Sequence, residues 1–248
     1  MEQVQFFLPG AKLGIHEFQR RQIYPFLIAE VMIEHSYIAF GAGRDVGRPR
    51  TTELRDVWDA IQYMAASGCQ WSMIPNDFPP PSTVQRYFYD WRDNGILHQI
   101  NHALVMAARE AEGREASPSA GVIDSQSVKT TESGGVWGYD AGKKIKGRKR
   151  HIITDTIGLL IGFVIHSAGI QDRDGAAWAL KSIRHTHPWL RHVFADGGYA
   201  GPKLRGALEK IGCWTIEIVK RSDTAKGFEV IPRRWVVESV DRHAKLTP

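Results

Sequence analysis

Three acidic residues are placed where carboxylates do chemistry. Asp124 falls in the apolar run GVIDSQS, where a strand is expected over Val122 to Val128. The central strands of an α/β sheet are mostly apolar. A carboxylate there costs free energy unless hydrogen bonds or a metal ion compensate it. Asp196 directly follows a second apolar run, HVFA, in FADGGYAG. Ligands of α/β sheets gather at the carboxyl ends of strands, although Asp-Gly-Gly is also an ordinary turn. Glu238 lies in RRWVVES, on a last helical pattern opened by Pro232. By itself it reads as a solvated face, paired with Arg242 four residues on. Together the three gain meaning. Hard carboxylate oxygens suit Mg²⁺. Two such ions about 4 Å apart activate an attacking oxygen and stabilise the leaving oxygen of a phosphodiester.

A phosphodiester substrate needs cations nearby, and the sequence supplies them. In Lys143 to Arg150 (KKIKGRKR) six of eight residues are Lys or Arg, namely Lys143, Lys144, Lys146, Arg148, Lys149 and Arg150. The bland reading is a solvated loop. With no acid interspersed the charges repel one another, which a phosphate backbone relieves. Arg44, Arg48 and Arg50 form a second basic stretch that reads either as a minor-groove arm or as a flexible loop. Tyr87, Phe88 and Trp91 keep helical spacing, so they read as core rather than as a base-stacking platform.

The elements that must position these residues fall into two groups. Leu54, Val57, Trp58, Ile61 and Met64 share one helical face, with Thr51 or Thr52 as cap and Gly68 as stop. A turn of helix is expected near Gln70 to Ile74. Ser82 is placed to cap a second helix that Asn94-Gly95 ends, and a third runs from about Ile96 to Ala111. Three helices with tight breaks form a small all-α, helix-turn-helix-like unit. The polar stretch Glu112 to Ala120 reads as a linker. After it the pattern turns to strands near Val122 to Val128, His151 to Thr154 and Leu159 to His166. A helix capped by Asp174 and the strand His192 to Ala195 follow. Then come a helix from Pro202 to Gly212, a strand through Trp214, Ile216 and Ile218, and a last helix. This is an α/β order, a mixed sheet with flanking helices of the RNase H-like kind.

Composition sets bounds. The chain has 248 residues, a net charge of +5 and 43% hydrophobic residues. That suffices for one medium domain and one small one, with a leaning towards a polyanionic partner. Two cysteines, Cys69 and Cys213, exclude a disulfide framework and make a thiolate zinc site a poor fit. The apolar stretch at Leu159 to Ile165 is too short to span a bilayer, and MEQVQFF does not read as a signal peptide. A cytoplasmic, nucleoid-associated protein is expected. There is no G-x-S-x-G, Walker A or dinucleotide fingerprint.

Longer stretches carry a resemblance. GVIDSQSVKTTESGG, GYDAGKKIKGRKRHIITDTIGLL, QDRDGA, HVFADGGYAG and EIVKRSDTAKGFEVIPRRWVVE resemble the DDE transposases of insertion-sequence family five. RTTELRDVWDAIQYMAASGCQW and FPPPSTVQRYFYDWRDNG are similar to that family's N-terminal DNA-binding domain. The likeness runs from about Gly47 to Glu238. It implies an atypical segment 1–46, a helical DNA-binding domain 47–111, a linker 112–120 and an RNase H-like catalytic domain 121–248. It implies Asp124, Asp196 and Glu238 as the catalytic, metal-holding triad, with Mg²⁺ as cofactor and Mn²⁺ as substitute. The implied partners are the terminal inverted repeats and a target duplex. Hydrolysis at the element's end leaves a 3′-hydroxyl, which attacks the target. A homo-oligomer holding two ends is implied too, with Arg234 and the Lys143 to Arg150 run on the DNA backbone.

The sequence departs from the family pattern after Glu238, where Ser239 replaces the expected Arg and SVDRHAKLTP follows. The expectation is a truncated or altered C-terminal end. The alternative function is a catalytically inactive remnant that only binds or competes for element ends. A third reading, an RNase H-like nuclease of repair or RNA processing, fits the helical N-terminal unit poorly.

Overall fold

The computed structural model describes residues 51–130, 135–212 and 214–219. Two compact units divide between Ala116 and Ser117. Among the described residues no helix is long and apolar enough to cross a membrane.

Among its described residues the first unit contains three helices, α1 (Leu54–Ser67), α2 (Pro81–Asp93) and α3 (Ile96–Ala111), with a 3-10 turn at Trp71–Met73. Their apolar stripes meet in one core of Val57, Trp58, Ala60, Ile61, Ile74, Val84, Trp91, Ile96 and Ile100. Trp91 is fully buried, and its ring centroid lies 6.4 Å from that of Trp58. Tyr87 and Phe88 pack on the same core. Gly68 ends α1 with φ 66°, a left-handed position that glycine adopts without strain. The starts of α1 and α2 differ from expectation. Neither Thr51, Thr52 nor Ser82 caps a helix. The N-cap positions are Glu53 and Pro80, and α2 begins on Pro81 itself, whose fixed φ suits a first turn.

Among its described residues the second unit is a six-stranded mixed sheet with helices against it. Its strands are β1 (Ala120–Lys129), β2 (Gly138–Asp140), β3 (Ile145–Asp155), β4 (Leu160–Ser167), β5 (His192–Ala195) and β6 (Thr215–Ile218). Helices α4 (Asp172–Ile183) and α5 (Pro202–Ile211) connect the later strands. β3 runs antiparallel to β1 on one side and to β2 and β4 on the other. β5 joins β1 in parallel, and β6 joins β5 in parallel. α4 packs on β3, β4 and α5. The buried set includes Ile123, Ile153, Ile161, Ala176, Leu180, Ile183, Val193 and Leu204. This is the RNase H-like arrangement of mixed sheet and flanking helices.

Three details differ from the sequence reading. β3 begins at Ile145, so most of the basic run is strand rather than loop. β2, a three-residue strand, gave no periodic signal. α4 begins at Asp172 behind Gln171, so Asp174 lies inside the first turn and does not cap it.

Candidate active site

The parallel pairing of β1 and β5 sets the site. Ile123 pairs with Ala195 as the last couple of that ladder. One step further, level with each other, stand Asp124 and Asp196. Asp196 keeps extended backbone (φ −78°, ψ 179°), so the chain does not turn away until after it. Its carboxylate then accepts a hydrogen bond from the Gly198 amide at 2.9 Å and starts the turn Gly197–Tyr199. Asp196 is exposed and Asp124 half-buried.

Strand alternation splits the neighbouring residues between two faces. Asp124 lies opposite Ile152, and Gln126 opposite Arg150, so these four share a face. Arg150 Nε donates to Gln126 Oε1 at 2.9 Å. Ser125 and Ser127 lie opposite His151 and Lys149 on the other face, the one α4 covers. That face holds a buried polar network. Lys149, 4% exposed, reaches Asp172 Oδ1 at 2.7 Å, Asp140 Oδ2 at 3.1 Å and the Ile170 carbonyl at 2.9 Å. Asp140 also accepts from Ser127 Oγ at 2.6 Å and from the Gly142 and Lys143 amides. Burial alone would raise the Asp140 carboxyl, but the Ser127 hydroxyl, the Lys143 amide and the Lys149 ammonium outweigh it and hold it well below the usual carboxylate range.

The basic run is therefore divided. Lys149 is a correction to the sequence reading, because its ammonium is enclosed by two carboxylates and has no path to a phosphate. Lys143 sends Nζ to the Ser125 carbonyl at 2.6 Å. Arg148 and Arg150 lie on the Asp124 face, half-buried. Lys144 and Lys146 are exposed, with Lys146 Nζ 4.5 Å from the Trp137 ring centroid. Glu238, Arg234, Arg48, Arg50 and the segment 1–46 lie outside the described residues.

Sequence reasoning missed several residues around the acids. Tyr199 is 1% exposed, with its hydroxyl 3.0 Å from His151 Nδ1. Burial first, then the carboxylates of Asp124 and Asp172, push this phenol well above its ordinary value. His151 stacks near His166, with ring centroids 4.9 Å apart. Burial, with His166 adding to it, lowers His151 to about 4, so the ring is neutral. Asp172 is, with Asp140, one of the two acids that hold Lys149. The available signals were adjacency alone: Ser125 follows Asp124, and Tyr199 closes the DGGY turn.

Two carboxylates level on adjacent parallel strands fit a hard divalent cation by donor chemistry. Among the described residues no group of three His, Cys, Asp or Glu side chains is gathered for a metal.

Comparison with known proteins bears on this geometry. Residues 115–245 match the family model described as "Transposase DDE domain", which is more than half of the 248-residue chain. Residues 32–101 match the model described as "Putative transposase of IS4/5 family". No curated protein and no solved structure matches the chain. DDE transposase domains typically use divalent metal ions, and their substrate is DNA. A mixed sheet that sets Asp124 level with Asp196, inside a stretch matching the DDE model, agrees with both matches, and the chain belongs to the DDE transposases of the IS4/5 type.

Proposed function

We propose that this chain binds the terminal inverted repeats of its own element and catalyses Mg²⁺-dependent cleavage and strand transfer there. The observation that carries the reading is the level placement of Asp124 and Asp196, with Arg148 and Arg150 on the face that Asp124 shares. Asp124 and Asp196 hold the divalent ion, and Glu238 completes the set. When bound, the ion supplies Lewis-acid stabilisation to the phosphodiester oxygens. Lys144, Lys146, Arg148 and Arg150 hold the DNA backbone by charge, and that part of the affinity is independent of sequence. The helical unit, with Arg48 and Arg50 before it, carries end recognition, while Arg234 adds a backbone contact. Two ends held at once require at least two copies of the chain.

The test uses end-containing duplex, Mg²⁺ or Mn²⁺, and the full chain. Asp124→Asn and Asp196→Asn are each expected to abolish nicking while end binding survives. Retained metal-dependent nicking in both variants overturns the reading. Binding without any cleavage by the unaltered chain leaves it as a DNA-binding remnant.

A further inference from the structure

The backbone ladder that aligns β1 with β5 ends one residue short of the acids, at Ile123 and Ala195. Beyond it the chain bearing Asp196 leaves the sheet through the turn Gly197–Tyr199. Tyr199 brings that turn back into the interior. Its ring stands edge-on to His151 with centroids 5.8 Å apart, and its hydroxyl lies 3.0 Å from His151 Nδ1. The other partner of the hydroxyl is the Ser125 side chain. Ser125 takes Lys143 Nζ twice, on its carbonyl oxygen at 2.6 Å and on Oγ at 3.2 Å.

Donor inventory assigns a direction to this chain. An ammonium only donates, so Ser125 Oγ accepts from Lys143 and turns its own proton to the phenol. That leaves the phenol to donate to His151 Nδ1, which accepts in the tautomer protonated on Nε2, a buried atom with no hydrogen-bond partner among the described residues. His151 is fully buried in β3, in register with Ser125. Ser125 adjoins Asp124, and Tyr199 closes the turn that Asp196 opens. The chain of hydrogen bonds thus clamps one acid-bearing segment to the other where the ladder no longer does. A phenylalanine would fill the same space. The hydroxyl adds orientation, which packing alone does not give.

We propose that Tyr199 is a positioning residue of the two-carboxylate centre, fixing through Ser125 and His151 the separation at which Asp124 and Asp196 offer their oxygens to a divalent cation. The inference rests on the metal reading above. Partners that orient metal ligands from behind change affinity by about 10–100-fold when removed.

The experiment is a Mn²⁺ titration of the full chain without DNA, read by electron paramagnetic resonance of the free ion at a temperature well below unfolding. Tyr199→Phe is expected to weaken Mn²⁺ binding by about tenfold or more. Ser125→Ala, which leaves the phenol ring in place, carries the same expectation and serves if Tyr199→Phe does not fold. Unchanged Mn²⁺ affinity in either folded variant, whatever its melting temperature, overturns the proposal, because a purely structural tyrosine alters stability alone. Asp124→Asn and Asp196→Asn are the reference. If the unaltered chain binds Mn²⁺ no better than they do, the metal reading itself fails, and this inference falls with it.

Discussion

Replacing Lys149 by alanine removes the cation shared by Asp140 and Asp172 and leaves both carboxylates partly enclosed without it. Breaking a buried pair in this way costs about 3–5 kcal/mol, so urea unfolding of Lys149→Ala is expected to shift by that amount. Lys146→Ala, three residues earlier and exposed, is expected to change stability by less than about 0.5 kcal/mol. It should instead weaken DNA binding on every sequence and reduce the slope of log K against log salt by about one. An equal effect of the two substitutions on stability would contradict the burial difference. Acid titration gives a third test. His151 is lowered from its ordinary 6.5 to about 4, so between those values the unfolded chain binds the proton that the folded chain refuses. Stability is complete above pH 6.5 and falls as pH drops towards 4, by on the order of 3 kcal/mol for this group. Asp140, held below its ordinary 3.8, adds a further loss as pH falls through that value. Denaturant midpoints at pH 7.5, 5.5 and 4.5 check the sign. A midpoint that rises with acidification contradicts a neutral buried His151.

At the scale of elements, α4 meets the sheet through a glycine. A Cβ at Gly175 would stand 2.3 Å from His151 Nε2 and 2.4 Å from His166 Nε2. Helix propensity alone predicts that Gly175→Ala stabilises by about 0.5–1 kcal/mol. The close approach to two buried rings predicts the reverse, a loss of about 1–3 kcal/mol by overpacking. Thermal melting decides between them, and we expect the loss. No sequence pattern announces this contact, since Gly175 in DRDGA looks like a weak spot in a helix. What the sequence did reveal followed periodicity. The stripe of α1, the run HVFA and the Pro202-to-Gly212 helix were all readable because each repeats apolar residues at its own period. The Asp124 strand was readable for the same reason. β2 was not, because three residues hold no period. The helix caps were not, because Glu53 and Pro80 make no side-chain cap bond. The fate of Lys149 was hidden because charge runs carry no face until the strand is known, and alternation then sends it inward.

At the scale of the molecule, the described residues fall into two units, one all-helical and one built on the sheet. A net charge of +5 suits a protein that meets DNA before it recognises any sequence. Sequence-independent association is expected to weaken steeply with salt, and discrimination for the ends to weaken less. A further consequence follows from the parallel pairing of β5 with β1. The acids belong to strands between which β2, β3, β4 and α4 must be made. A ribosome releases the chain from its N-terminal end, at about 5–20 residues per second. For seconds, a growing chain carries Asp124 in a sheet that has no neighbour to offer it. Non-local pairing of this kind closes late in folding. Half-made chains therefore hold the basic strand and the first acid without the second. On the proposed function, such chains meet DNA before they are able to cut it, and the order of the strands sets that delay.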